Sequence, residues 1–190
     1  MRGIGNTRAK AIAKALHILQ ETGYRGLTLQ LLADELGIKK PSLYDHFKCK
    51  EDLVTQVIED SKHTFVQWTE TISVFDPEAQ VGALFEVFYK FSCDQTRLCP
   101  LTALIGDFSS YPKKMKSDIK KLYDSRIDWL EEIIKRGQRN KIFSKSISAK
   151  KLADLIFATG LGAQLVARVT QNPKHIREQK DKILKILKSS

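Results

Sequence analysis

Residues 27–50, LTLQLLADELGIKKPSLYDHFKCK, constrain this chain more than any other stretch, because they hold two short helices with almost no slack between them. Thr28 suits the N-cap of the first, where its hydroxyl can accept from a backbone N–H that the helix leaves unpaired. Leu27 and Leu32 occupy the two positions of a hydrophobic staple, which fixes the angle at which the chain enters. Gly37 closes that helix. Pro41 opens the next, at the position where a missing N–H costs nothing. Two helices joined by so short a turn set the second across the first, which is how a recognition helix is laid in the major groove of DNA. Sequence-specific binding of double-stranded DNA is the leading expectation.

The same punctuation recurs along the rest of the chain. A first helix is expected over residues 7–22, with Ile12, Ala15, Leu16 and Leu19 on one face and Gly23 ending it in a left-handed conformation. Leu36, Leu43 and Phe47 are the expected glue of the first three helices. A fourth helix should start near Lys50 and reach about residue 73. Asp76-Pro77-Glu78 starts a fifth, Pro100 a short sixth through about residue 108, and Pro112 a long seventh ending near residues 137–140. Ser148 caps an eighth to about residue 170, and Asn172-Pro173 starts a ninth. No alternating β-branched run bounded by turn pairs is present, so strands are not expected. The fold class is therefore all-α: a three-helix module over residues 1–50 and a larger helical body over residues 51–190, continuous through the fourth helix.

Composition narrows the function classes. Hydrophobic residues make up 42% and charged residues 28% of the 190, enough for a packed core and too evenly mixed for disorder. No apolar run approaches the roughly 18 residues of a membrane span, and no charged-then-apolar leader opens the chain, so a cytoplasmic protein is expected. Cys49, Cys93 and Cys99 are an odd count without metal-ligand spacing and read as reduced thiols. The net charge is +10, but it is unevenly spread. Residues 1–50 carry nine Lys/Arg against four Asp/Glu, residues 51–110 three against ten, and residues 111–151 thirteen against five. Most of the excess thus lies outside the first module, and the 111–151 group is read as a solvated helix face. No Gly-rich phosphate loop, His-Glu-x-x-His or nucleophile elbow occurs, and the four histidines are scattered. An enzyme is not expected, nor is a cofactor or a metal.

The residue chemistry of the third helix, about residues 40–46, fits base and phosphate contacts. Lys40 can donate to guanine O6 and N7, and Ser42 can bond to several bases. Tyr44 and His46 can reach phosphates, as can Thr28 and Gln30 at the start of the second helix. Lys50 adds charge at a helix N-terminus, a natural phosphate site. Lys39 and Pro41 complete the surface. Arg2 and Arg8 can add phosphate contacts from the N-terminal arm. Phosphate contacts set register and base contacts set sequence choice.

Residues 8–54 resemble the N-terminal domain of the TetR (tetracycline repressor) family, through Gly23-Tyr24, Leu27-Thr28, Leu32-Ala33, Leu36-Gly37-Ile38, Pro41-Ser42-Leu43-Tyr44, His46-Phe47 and Lys50-Glu51-Asp52-Leu53. The resemblance implies a dimeric, all-helical transcriptional regulator, most often a repressor, whose C-terminal domain binds a small effector. Two positions depart from the pattern: Lys39 stands where a small capping residue is common, and Cys49 where a Ser or Asn cap is usual.

For the body, the resemblance implies a pocket lined by helices four to eight. Trp68, Phe88, Leu104, Phe108, Tyr123 and Phe157 are candidate walls, and His63 and Gln164 candidate polar contacts; Gln95 and Asp107 are weaker ones. Such walls suit a lipophilic or aromatic small molecule. The eighth helix carries Ala153, Gly160, Ala163 and Ala167, and the ninth carries Ile176, Ile183, Leu184 and Leu187 on one stripe. Small residues permit close helix approach, so these eight are the expected homodimer interface, two helices from each copy around a two-fold axis. A dimer in turn implies a palindromic operator. The alternative is a DNA-binding protein whose body takes a protein partner instead of a small effector.

Overall fold

A computed structural model describes residues 4–93 and 97–189, the side chains of residues 4–6 excepted. Among them nine α-helices and one 3-10 turn follow one another with no strand: α1 (Ile4–Gly26), α2 (Leu29–Leu36), α3 (Pro41–Tyr44), α4 (Lys50–Thr71), α5 (Pro77–Cys93), α6 (Pro100–Gly106), the 3-10 turn Phe108–Ser110, α7 (Lys113–Arg139), α8 (Ala149–Thr170) and α9 (Lys174–Lys188). The expected order of helices and the all-α class both hold. The third helix is shorter than the expected 40–46, because its ends relax into three-residue turns: Ser42 N–H donates to Lys39 C=O and His46 N–H to Leu43 C=O.

The contacts divide the chain into two compact units. The first takes residues up to Val66 together with Cys99–Leu122, and the second takes Gln67–Leu98 with Tyr123 onward. This is not a single cut after residue 50. Three short helices cannot bury their own apolar faces, and α6 packs on α1 to complete the first core. Ala11, Ala15 and Leu19 of α1, Leu32 and Ala33 of α2, Leu43, Phe47, and Leu53, Val54 and Val57 of α4 are all buried there. Truncating any of the large ones costs about 2–5 kcal/mol by the usual transfer and cavity terms.

The helical run breaks at Gly23, as expected, with a φ of 73° and ψ of −176° that lie in a region open to glycine alone, and one short turn to Gly26 follows the kink. The break frees the N–H groups of Tyr24 and Arg25, and Asp107, just beyond α6, accepts both at 2.8 and 3.4 Å. Arg25 returns the contact by donating to Ser110 Oγ at 3.1 Å. Tyr111 stacks on Tyr24 with centroids 4.5 Å apart. Asp107, a weak pocket candidate by sequence, is thus the clasp between α1 and α6.

In the second unit α5, α8 and α9 pack together around Val81, Phe85, Phe88, Ile156, Phe157, Ile176 and Ile183. Gly160 is a glycine because α5 comes close: a Cβ there would meet Phe88 Cε2 at 2.2 Å. By length and composition α8 could cross a membrane, contrary to the expectation that no stretch comes near it. Its Ala, Gly and Thr residues break up the apolar run without lowering the mean hydropathy much. Less than half of that window, 44%, is buried within the chain.

α9 is tied to α5 by charge as well. The Arg177 guanidinium lies 3.6 Å over the Tyr89 ring and donates to Glu86 at 2.7 and 3.1 Å, with Lys180 at 3.4 Å. The Arg177 hydrogen bonds hold the Glu86 carboxyl below its ordinary value of 4.5. A depressed carboxylate contributes stability that is present above its unfolded value and is lost as pH falls through the folded one. Both side chains are a third or more exposed, so solvent screening leaves about 0.5–1 kcal/mol. Glu86→Gln should lower the unfolding free energy by that amount at pH 7. The gap from the parent should close as pH falls below about 4.5; denaturant melts at pH 7 and pH 3 check it.

Candidate DNA-binding interface

The local chemistry of the α2–α3 segment is the one its sequence called for. Thr28 Oγ1 accepts from Leu31 N–H at 3.0 Å. Gly37 sits at φ 64°, ψ 32°, and its N–H and that of Ile38 return to the carbonyls of Asp34 and Ala33. Leu43 and Phe47, 0% and 1% exposed, anchor the turn of α3 from beneath. What they leave outside is the polar set: Lys39, Pro41 and Tyr44 are exposed, and Lys40, Ser42 and His46 half-buried. Tyr44 is 51% exposed, so it is not a packing residue between the helices. His46 lies edge-on to Phe47, centroids 6.2 Å apart.

No side chain caps α3: Lys40 at its N-cap position is itself helical, at φ −50°, ψ −39°. That fits the departure at Lys39, and Pro41 at the first helical position supplies the stiffness a cap would have given. At α4 the Asp52 carboxylate accepts from Lys48 N–H at 3.0 Å, which ties the chain ahead of the helix to its first turn.

Besides Thr28, three candidates are engaged within the chain. Gln30 Nε2 donates to Asp34 Oδ1 at 2.8 Å. The Lys50 ammonium sits 3.9 Å over the Tyr24 ring, whose hydroxyl donates to Glu51 at 2.9 Å. Its pKa is lowered, first by burial. Arg8 is not in an arm: it lies on α1, donates to Gln56 and has its guanidinium 5.9 Å from the centroid of Phe47. Arg2 and Gln95 lie outside the described residues.

The body corrects the sequence expectations more sharply. Phe88, Leu104, Phe157 and Gln164 are at most 2% exposed, so protein encloses each of them on all sides. Phe88, Phe157 and Tyr123 form one aromatic stack, with centroids 6.1 and 5.7 Å apart. His63 and Phe108 are on the surface, Phe108 at 40%. Trp68 pairs with Trp129 at 5.5 Å. A cleft of about 360 Å³ does open in the second unit, lined by Thr69, Glu70 and Ser73, by Gln80, and by Trp129, Glu132, Ile133, Arg136 and Arg139. None of the eight expected pocket residues lines it.

The expected interface residues Ala153, Gly160, Ala163, Ala167, Ile176, Ile183 and Leu187 are buried within the chain, and Leu184 is half-buried. They pack α8, α9 and α5 together and cannot also face a second copy. The opposite face of α8 carries the exposed apolar stripe instead: Leu155 (41%), Ala158, Gly162, Leu165 (49%), Val166 (42%) and Val169 (84%), with Ile186 (41%) on α9. Gly162 has open space where a Cβ would stand. Both faces of α8 are apolar, so composition could not say which one was core.

A helix-turn-helix reader carried on an all-helical body defines the class, a DNA-binding transcriptional regulator. Residues 11–57 match the family model of bacterial regulatory proteins, tetR family, and residues 77–183 match that of the tetracyclin repressor-like C-terminal domain. The chain belongs to the TetR family; it is a regulator and not an enzyme. It is 24% identical to the HTH-type transcriptional repressor DhaR of Mycobacterium sp. (strain GP1), over 95% of this chain and 89% of that one. It is 29% identical to the negative transcriptional regulator IcaR of Staphylococcus epidermidis, over 58% of each. The fold matches a TetR-family regulator from Agrobacterium tumefaciens with a TM-score of 0.92, at 19% identity, covering 98% of this chain and 100% of that one.

Proposed function

We propose that this regulator is a cytoplasmic, homodimeric repressor that occupies a palindromic operator and is released by a small lipophilic or aromatic effector. Residues 1–50 read the DNA, and residues 51–190 carry the effector and dimer functions. The carrying observation is the anchored turn of α3, with Leu43 and Phe47 buried beneath an outward row of Lys39, Lys40, Ser42 and Tyr44. Lys40 and Ser42 take base edges; Thr28, Gln30, Tyr44, His46 and Lys50 take phosphates. Repression follows the named roles of DhaR and IcaR. Effector control runs through α4, which begins at Lys50 beside the reading helix and whose last turn lines the cleft in the body. A ligand that favours another tilt of α4 changes the spacing of the two reading helices, a coupling of typically 1–3 kcal/mol.

A protein partner in place of the effector is favoured by one observation, the close packing of Phe88, Tyr123 and Phe157. The cleft beside Trp129 favours the small molecule.

Two substitutions test the contact roles in an operator-binding assay. Lys40→Ala should cost about 1–3 kcal/mol on the preferred site and flatten the preference at one base pair. Lys50→Ala should weaken all sequences alike and lower the salt slope by about one. A reporter whose promoter overlaps the operator should fall when the protein is expressed; a rise would make it an activator.

A further inference from the structure

We infer that the cleft beside Trp129 is a binding site for a small aromatic monocarboxylate. Its walls separate two kinds of chemistry. Trp129, Glu132, Ile133, Arg136 and Arg139 recur at helical spacing along one face of α7. The indole and Ile133 give an apolar platform at one end, and two guanidinium groups three residues apart give a cationic one at the other.

Arg136 is pre-set for an anion. Gln80, 2% exposed, donates through its amide to Ile72 C=O at 2.7 Å, which aims its oxygen at Arg136 Nη2. One donor of the guanidinium is spent on holding its orientation, and the remainder of the planar fork suits a carboxylate in bidentate geometry. Of the two acids in the lining, Glu132 is engaged by Lys135 at 2.8 Å. Glu70 and Glu132 together oppose a multiply charged phosphate, because like charges this near disfavour ionised ligand groups. A single carboxylate meets the arginines at a smaller penalty, because it carries one charge where the phosphate carries two. The volume of about 360 Å³ stands near the lower end of small-molecule sites, which suits one or two rings rather than a long acyl chain.

Binding itself does not depend on the DNA-binding role; only its consequence for operator affinity does. The test is therefore calorimetry on the full chain without DNA, using 2-naphthoate, with 2-naphthalenemethanol as the uncharged control. Naphthoate should bind with one site per chain, and the alcohol about tenfold or more weaker. Arg139 is exposed, so Arg139→Gln leaves folding intact and should weaken naphthoate about tenfold. Arg136→Lys, which keeps the charge but loses the fork, should weaken it similarly while leaving the alcohol unchanged. Absence of saturable heat up to about 10 mM, a range that covers even weak small-ligand sites, would overturn the inference. Parent-like affinity in both variants would do the same. Should naphthoate bind as inferred yet leave operator affinity unchanged, the site stands and effector control lies elsewhere.

Discussion

Leu165→Glu should convert the protein to a monomer and cut operator affinity about a thousandfold or more. Leu165 stands in the middle of the exposed stripe on α8, 49% exposed in the isolated chain. In the proposed homodimer, with this stripe at the two-fold axis, every contact occurs twice, so one substitution buries two unpaired carboxylates. An uncompensated buried charge costs about 3–5 kcal/mol, and two exceed what an interface of this kind can absorb. The loss at the operator is larger than a local effect because one half-site remains. Joining two readers raises avidity by about 10²–10⁴ without adding a contact, and the monomer forfeits all of it. Sedimentation at micromolar concentration gives the assembly state, and operator titration gives the affinity. A variant that stays dimeric at full affinity would move the interface off α8.

Gly23→Ala should destabilise the first unit by about 2–4 kcal/mol. Two effects add. The backbone at φ 73°, ψ −176° disfavours any side chain, a strain of about 1–3 kcal/mol. A Cβ at that position would also stand 2.6 Å from Asp107 Oδ2, displacing the carboxylate that accepts from Tyr24 and Arg25. Hydrogen bonds to a charged group are worth about 1.5–3 kcal/mol, so part of that is lost as well. The two terms separate in a double-mutant cycle. In an Asp107→Ala background the clash is gone and only the backbone strain remains, so Gly23→Ala should cost about 1–3 kcal/mol there. Equal costs in both backgrounds would mean that the contact with Asp107 adds nothing to the cost of the side chain at position 23.

The first unit was legible in the sequence because its signals are local. Thr28, Gly37 and Pro41 act within a turn of where they stand, and Leu43 and Phe47 are core for any helix packed as α3 is. Helix boundaries along the body follow from Pro77, Pro100 and Pro112 for the same reason; Ser148 stands at the N-cap position of α8, but its side chain makes no capping bond there. What failed depends on distant partners. Asp107 and Gly23 meet across 84 positions, and nothing near either residue announces the other. Gly160 is on the core face of α8 only because Phe88 arrives from α5, and Gly162, two residues on, faces out. An aromatic side chain in a helical body is as readily a filler as a wall, and Phe88 and Phe157 are fillers. Arg136 drew no attention as one cation among thirteen in its segment; the buried amide of Gln80, 56 positions away, is what orients it.

The central claim is a dimeric reader of specific DNA through α3, and selection of binding sites from random duplex DNA at fixed physiological salt tests it most directly. An enriched palindrome is expected, its half-sites about one helical turn apart or somewhat more; Lys40→Ala should relax one base pair in each half-site, and Tyr44→Ala should lower the recovery of all sequences alike. Salt-sensitive retention of DNA with no enriched sequence, unchanged by those substitutions, would contradict it and leave the basic charge as the whole basis of binding.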